Sequence, residues 1–343
     1  QESINIKVLS MNSLSKMISL YCYSSYSWPN CSIPISGFTQ IADPIIQLSA
    51  IRGVSFSPIL SINQIQSFES FAYSFFQQQG YPNLGLSPSF GKGIYSIDNI
   101  TNQRYHDIGQ HIIGKRSISV PVFEIAKLNN NEAAVMLNLY SEINRAQMID
   151  KLIDCHELGG QGRDCTTITN IISLVQDTTF RPSSLLAFPI TPLNNPENLV
   201  GITVQVLNWD TVISDSALDI DNIIIVLTSP DKINYSYKIK NGQAIYLGIG
   251  DFHDKKYSHR QSSFSICLTN NKSSPITTTL LYDNIQNNIQ NKFNHGNHHG
   301  NVNGNSIDNH DNNKSNKYHP PPPPPNHLFD HIFSFNPLKI SNS

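Results

Sequence analysis

Apolar residues recur at helical spacing in three segments of the chain. Residues 4–26 show an irregular apolar pattern, typical of a moderately amphipathic helix. Ser61 and Gln64 form a capping box, and the apolar residues after them line one face of a helix that Gly80 ends. A third helix opens at Ser141, and its apolar residues share one side: Ala146, Ile149, Leu152 and Ile153.

Four further apolar runs predict strands on either side of the third helix. Residues 118–125 and 133–138 precede it, and residues 185–190 and 199–207 follow it. Apolar and less apolar residues alternate in the last run, the period-2 mark of a half-buried strand. The alternating apolar residues are Val200, Ile202, Val204 and Val206.

A β-meander is predicted after residue 220, with strands at 223–227, 235–239 and 244–247. The dipeptide Asn241-Gly242 between the last two strands is a strong hairpin signal. Helices that lead into antiparallel strands, twice over, indicate an α+β protein with two sheet-based lobes.

The composition of the chain changes after about residue 270. The remaining segment is rich in Asn, contains seven of the twelve His residues and includes a run of six prolines at 320–325. Such a tract cannot bury a hydrophobic core, so we expect a disordered, low-complexity tail.

Charge and length exclude several classes of protein. The 343 residues include 23 Lys and Arg against 25 Asp and Glu, so no basic excess is present to bind nucleic acid. No apolar run is long enough to span a membrane, and no signal peptide is recognisable. Because the chain opens with Gln1 rather than Met, we expect a segment of a larger protein.

The common catalytic motifs are absent, among them the P-loop, the nucleophile elbow and the zinc-protease helix. The densest polar cluster contains Asp251, His253 and Asp254, which could chelate a divalent ion or perform acid–base chemistry. We favour a structural interpretation, a polar turn in which carboxylates accept backbone N–H bonds. No catalytic residue, metal or cofactor is therefore predicted.

The five cysteines leave two interpretations open. Cys22 and Cys31 bracket one short segment, and Cys155 and Cys165 bracket another, with Cys267 left over. Two local disulfides would suit a secreted or lumenal domain, whereas five buried thiols would carry no such information. We predict the disulfide between Cys155 and Cys165.

Four segments, in order, resemble one family. Residues 138–151, from Asn138 through Ser141 and Arg145, resemble an Asp-x-x-Ser-x-x-x-Arg strand-to-helix motif, and residues 120–123 resemble the strand before it. Residues 185–206 are similar to the next strand pair. The motifs are those of CHASE domains, extracellular sensors of receptor histidine kinases and nucleotide cyclases. Residues 27–29 and 245–257 look like the ectodomains of diatom and other protist receptor guanylate or adenylate cyclases.

The resemblance implies a particular architecture. A helical stalk would occupy residues 1–50, a membrane-distal PAS-like lobe 51–180 and a membrane-proximal PAS-like lobe 181–260, followed by the tail at 261–343. The parent protein would be a membrane-anchored receptor that dimerises through the stalk, with this chain on the extracellular or lumenal face. A ligand would shift the arrangement of the lobes, and any cyclase catalysis would lie outside this chain.

The resemblance also suggests where a ligand binds. In plant cytokinin receptors of this family the Asp of the motif contacts adenine, but this chain has Asn138, whose amide both donates and accepts. We predict a distal-lobe pocket bordered by Asn138, Ser141 and Phe123 that binds a neutral or weakly polar small molecule. Arg145 would anchor the lobe by pairing with a carboxylate, and Asp251, His253 and Asp254 would be structural.

Two other classes of function remain open from the sequence. One is a secreted metal-dependent hydrolase that uses Asp251, His253 and Asp254. The other is an adhesion or cell-wall scaffold without a small-molecule pocket, suggested by the Asn-rich tail that contains the proline run.

Overall fold

Five helices and fourteen strands occur in the part of the chain that the computed structural model describes. That part comprises residues 2–22, 33–98, 101, 103–109, 113–160, 165–216, 222–253, 261–266 and 276–281. All of these residues belong to one unit, which extends to Gln290. The helices are α1 (Glu2–Tyr21), α2 (Phe38–Ser49), α3 (Ile65–Gln78), α4 (Ile143–Glu157) and α5 (Trp209–Ser216).

The strands are β1 (Val54–Pro58), β2 (Leu60–Ser61), β3 (Tyr95–Ile97), β4 (Arg104–His106), β5 (Ile118–Ser119), β6 (Glu124–Ala126), β7 (Thr167–Ile168), β8 (Ser183–Ile190), β9 (Gly201–Asn208), β10 (Ile224–Thr228), β11 (Asn234–Lys240), β12 (Gln243–Ile249), β13 (Gln261–Ile266) and β14 (Ile276–Leu281). The longest strands, β8 and β9 with eight residues each, follow α4.

Two five-stranded sheets organise the fold. The central sheet has the order β6-β1-β9-β8-β7, and each neighbouring pair is antiparallel. Strands β1 and β9 are the first and the last of this sheet along the chain, and they pair with each other inside the sheet, as in a PAS-like sheet. The C-terminal sheet has the order β12-β11-β10-β14-β13 and is also antiparallel. The structure is thus α+β, as the sequence predicts.

The core lies on both faces of the central sheet. Strand β8 contacts both α1 and α4, and all eight of its residues are buried. The N-terminal helix α1 packs one apolar side against the sheet and against α2. The buried residues on this side of α1 are Ile4, Val8, Met11, Leu14 and Ile18.

The helix predictions are confirmed, with small shifts at the ends. Helix α1 ends at Tyr21, and the residues expected to end it near 28 lie outside the described residues. The capping box at Ser61 is present: its backbone N–H donates to Gln64 Oε1 at 2.9 Å. Helix α4 begins after Ser141, because the Glu142 side chain provides the N-cap.

The hairpin of β11 and β12 is also confirmed. Asn241 and Gly242 have φ values of +52° and +71°, which a type I′ turn requires at both central residues.

Three strand predictions are wrong. Residues 118–125 form two short strands, β5 and β6, in different sheets. Residues 133–138 form no strand, because Met136 adopts a φ of +66° and Glu132–Ala134 form a 3-10 turn. Strand β9 is not half-buried: Thr203 and Gln205, on the face expected to be more exposed, are fully buried. The reason is that β9 is the middle strand of a sheet covered on both faces.

The expected lobe boundaries are also wrong. Strands β8 and β9 pair within the central sheet, so the first sheet extends well past residue 180. The tail cannot begin at 261, because β14 pairs with β10 in the interior of the C-terminal sheet and β13 pairs with β14. Residues after 281 lie outside the described residues. The assignment of one lobe as membrane-distal and the other as membrane-proximal remains a prediction.

None of the helices in the described part of the chain combines the length and the hydropathy that crossing a bilayer requires.

The position of β14 generates a prediction about truncation. Ending the chain after residue 270 removes β14, one of the two partners of β10, and leaves one edge of β10 unpaired, so we expect the melting temperature to fall by more than about 5 °C. A chain that ends after residue 290 keeps both strands and is the control for differential scanning calorimetry. Equal melting temperatures for the two chains would show that β14 contributes no stability.

Glu124 generates a prediction about pH. Its Oε2 accepts a hydrogen bond from the Ile35 N–H at 2.8 Å, and burial nevertheless raises the pKa of this carboxyl to about 8 from its ordinary 4.5. The folded protein therefore holds an extra proton between about pH 4.5 and 8, so ionisation lowers its free energy of unfolding as pH rises through this window.

We expect Glu124→Gln, which cannot ionise, to exceed the natural protein in stability by about 1–3 kcal/mol at pH 9 and to match it near pH 5. Denaturant titration at both pH values is the measurement. Glu132→Gln, at an exposed side chain, is the control. A constant difference between Glu124→Gln and the natural protein at both pH values would contradict the raised pKa.

Candidate functional site

A small cavity of about 50 Å³ lies on one face of the central sheet. Its floor includes Ser55, Val204, Leu185 and Val206, which share this face because they pair across β1, β9 and β8. The opposite wall comes from α4 and from the loops on either side of it: Leu137, Leu139, Arg145, Leu174, Val175 and Gln176.

A wider cleft of about 480 Å³ adjoins the cavity. The two share four residues, Leu137, Arg145, Leu174 and Val175. The first residues of α4 and the chain just before it also line the cleft, together with Arg104 and Asp177. The cleft therefore offers a route from solvent to the cavity, and Arg145 stands where the two meet.

Arg145 is the most unusual residue of the site. It is only 6% exposed, and its guanidinium makes one long hydrogen bond, from Nη2 to the Ser173 carbonyl oxygen at 3.4 Å. Its Nε is buried without a hydrogen-bond partner, and no carboxylate among the described residues lies within salt-bridge distance. The expectation that Arg145 anchors the lobe by pairing with a carboxylate is therefore wrong.

Desolvation is the main electrostatic effect on this group. It lowers the pKa of the Arg145 guanidinium, while the nearby Glu142 and Tyr95 raise it. A guanidinium remains protonated in proteins at neutral pH, so Arg145 is a buried cation at the border of the cavity.

The start of α4 explains why Glu142 does not neutralise Arg145. The Glu142 carboxylate caps the helix and accepts hydrogen bonds from the backbone N–H groups of Asn144 and Arg145, both at 3.1 Å. Asn144 Nδ2 donates to the same carboxylate at 2.9 Å. Both carboxylate oxygens are thus engaged by the helix terminus and not by the guanidinium.

The other polar groups nearby have partners of their own. Gln176 Nε2 donates to Asn131 Oδ1 at 3.3 Å, so these two cavity residues satisfy each other in part. At the cleft, Asp177 pairs with Arg52, and Arg104 lies over the Tyr95 ring at 4.4 Å. Two polar atoms at the cleft are buried without a hydrogen-bond partner, Arg145 Nε and Asp177 Oδ2, and of these residues only Arg145 also lines the cavity.

Asn138 has a different role from the one that the sequence predicted. It is 3% exposed and borders neither the cavity nor the cleft. Its Oδ1 accepts from the backbone N–H groups of Val120 at 2.9 Å and Tyr140 at 3.0 Å, and its Nδ2 donates to Asp107 Oδ2 at 2.8 Å. Asn138 therefore holds the turn before α4 in place and is not a ligand contact.

Asp107 is the partner that the sequence did not reveal. It is buried, and besides Asn138 its carboxylate accepts from the Ser96 hydroxyl and from the Gly109 N–H, the latter at 3.0 Å. This cluster ties the β3–β4 hairpin to the turn that precedes α4. No local sequence signal identifies it, because Asp107 and Asn138 are 31 positions apart.

Phe123 packs against α3 and lines a separate surface cavity beside α2 and α3. It is 1% exposed and borders neither the cavity nor the cleft, although its neighbour Val122 lines the cavity. Its ring packs against four aromatic rings of α3 at centroid distances of 5.3–5.9 Å. Those rings belong to Phe68, Phe71, Phe75 and Phe76.

Ser141 does lie at the site. It borders the cleft, but its Oγ donates to the Asn138 carbonyl oxygen at 2.6 Å, so its proton is already used. The three residues expected to contact a ligand are thus not brought together at one cavity.

The polar turn after β12 has the geometry that the structural interpretation predicts. Asp251 Oδ1 accepts a hydrogen bond from the His253 N–H at 3.1 Å and also contacts the His253 ring. Asp254 lies outside the described residues. Within the described residues, no group of three or more His, Cys, Asp or Glu side chains could hold a metal ion.

The structure contains the disulfide between Cys155 and Cys165, with their Cα atoms 5.4 Å apart. It connects the last turns of α4 to the chain that leads into β7. Cys22 is also disulfide-bonded, and Cys31 lies outside the described residues.

Arg116 shows how a paired arginine looks in this protein. Its guanidinium donates to Asp150 at 3.1 Å and to Asp154 and Glu157 at 2.8 Å each, all on α4. Asp150 also accepts from the Tyr140 hydroxyl at 2.6 Å, and burial together with this bond raises the pKa of Tyr140 to about 12.

Comparison with known proteins identifies one family. Residues 36–234, more than half of the chain, match the model of the CHASE domain. No curated protein matches the sequence.

Two solved structures are similar in outline to the chain. One is the periplasmic sensory domain of the Campylobacter jejuni chemoreceptor Tlp1, with 13% identity, a TM-score of 0.39 and coverage of 82% of this chain and 88% of that one. The other is a methyl-accepting chemotaxis protein X, with 8% identity, a TM-score of 0.34 and coverage of 80% and 90%.

The contacts of Asn138 generate a prediction. Asn138→Asp would remove the donor to Asp107 and place two buried carboxylates in contact, so we expect a loss of about 3–5 kcal/mol at pH 7. The loss should shrink at low pH, where one carboxyl becomes protonated and can donate to the other. Asn83→Asp, at an exposed side chain, is the control for urea titration. Unchanged stability of Asn138→Asp at pH 7 would show that the amide is not structurally required.

Proposed function

The chain belongs to the CHASE domain family of extracellular ligand-sensing regions, and we propose that its parent is a transmembrane receptor with a guanylate or adenylate cyclase as its output domain. The observation that supports sensing most strongly is the cavity between the central sheet and α4. Together with the adjoining cleft of about 480 Å³, this mostly apolar cavity falls in the size range of sites where small molecules bind.

Ligand binding would act through the packing around β8. A molecule that enters by the cleft would contact Arg145 of α4 and the loop at 174–176. Since β8 contacts both α4 and α1, a shift of α4 would change the support of α1. The ligand would favour one arrangement by no more than the difference between its affinities for the two arrangements.

We further propose that two copies of the chain associate through α1. Four large side chains on α1 are exposed, and three of them recur at spacing that places them along one face. They are Ile6, Leu9, Leu20 and Tyr21. Exposed apolar side chains on a helix that packs against β8 are suited to transmit a change between two subunits.

The sensing function can be tested by filling the cavity. Ala134 lines it and the adjacent Ala133 does not, so Ala134→Leu and Ala133→Leu form a matched pair. In a thermal-shift screen against small metabolites, we expect at least one compound to raise the melting temperature of the natural protein and of Ala133→Leu. Ala134→Leu should lose that shift, because its added atoms occupy the cavity.

An equal shift in both variants would place the ligand elsewhere, and no shift with any compound would argue against a sensor. The cyclase part of the proposal is tested separately by reading the transcript on both sides of this segment. A membrane span followed by a cyclase domain is expected there, and a different output domain would contradict it.

A further inference from the structure

A buried guanidinium without a counterion destabilises a folded protein, because the charge loses its hydration and gains no partner. Arg145 is in this position, whereas Arg116 is paired with three carboxylates. Arg145 lines both the cavity and the cleft, so a ligand bound there would contact this residue.

The guanidinium of Arg145 determines which chemical group of a ligand would pair with it. Its planar fork of N–H donors matches a carboxylate, which can accept two parallel hydrogen bonds. Glu142 does not fill this role because the helix terminus engages both of its carboxylate oxygens. Asp177 forms its ion pair with Arg52 through Oδ1, and although its Oδ2 has no hydrogen-bond partner, it makes no salt bridge with Arg145. Arg104 adds a second positive charge at the cleft.

The walls and the volume of the cavity determine the polarity and size of the rest of the ligand. Its walls are largely aliphatic, with Val122, Ile125, Leu139, Leu185 and Val204 among them. Its volume of about 50 Å³ is well below the roughly 150 Å³ of a cavity that accepts benzene. A short aliphatic chain fits this space and an aromatic ring does not.

We infer that the cavity binds a small carboxylic acid with a short aliphatic body, whose carboxylate pairs with Arg145 at the border of the cleft. This inference rests on the proposed sensing function and names the class of ligand sensed. It also replaces the expectation of a neutral ligand, because burial of an unpaired cation beside the cavity favours an anion.

The test compares an acid with its neutral isostere. We expect propanoate, whose two-carbon body suits the cavity, to bind the natural protein at least about tenfold more tightly than propanamide in calorimetric titration, since hydrogen bonds to a charged partner are the stronger ones. Arg145→Met should abolish this preference, and Arg145→Lys should retain part of it.

A second measurement separates binding from a structural role. In the ligand-free protein, Arg145→Met should keep or raise the melting temperature, because an unpaired buried charge is replaced by an apolar chain. Arg116→Met is the matched control and should lower it, because it leaves Asp150 without its cationic partner. If the role of Arg145 were structural, Arg145→Met would lower the melting temperature as much as Arg116→Met does.

Equal binding of the acid and the amide, no binding of either, or a fall in melting temperature for Arg145→Met as large as for Arg116→Met would each overturn the inference. The proposed function would survive these outcomes if another compound still gave a shift that Ala134→Leu abolishes. If, in addition, no compound in the thermal-shift screen binds the natural protein, the proposed function fails as well.

Discussion

Five residue pairs between β1 and β9, from Val54 with Gln205 to Pro58 with Gly201, join distant parts of the chain at the centre of the sheet. Gly201 permits this approach, because a Cβ there would lie 2.9 Å from the Phe56 ring and from the Ser57 carbonyl oxygen. The pairing sets Ser55 beside Val204 and so builds the floor of the cavity. It also fixes where β6 and β8 add to the sheet, and the positions of α1 and α4 follow from β8.

Several contacts fix the position of α4 beside the cavity, and one buried residue there, Arg145, destabilises the unliganded fold. Asn138 and Asp107 hold the turn before α4, Glu142 caps the helix, and the Cys155–Cys165 disulfide secures its other end. Within this frame Arg145 is placed by its backbone, so its guanidinium remains at the cavity although it lacks a partner. Natural proteins retain such destabilising groups where binding uses them. A ligand that neutralises Arg145 would therefore gain affinity from a cost already present in the unliganded fold.

Sequence patterns predicted what local interactions decide. The capping box of Ser61 and Gln64 and the turn at Asn241 and Gly242 depend on residues close in sequence, and both occur as expected. The burial of Thr203 in β9 could not be predicted, because it depends on helices from remote segments that cover both faces of the sheet. The prediction of the ligand-binding residues failed for the same reason. Asp107, the partner of Asn138, lies 31 positions away, and the sequence carries no signal that Arg145 Nε lacks a partner.

The central claim is that the cavity between the central sheet and Arg145 is the ligand site. A crystal structure of the protein grown with propanoate tests it. The claim predicts density in the cavity, with the aliphatic end against Val204 and Val206 and both carboxylate oxygens about 2.7–2.9 Å from the Arg145 guanidinium. An empty cavity with an unchanged Arg145, or density for the acid elsewhere on the molecule, would contradict it.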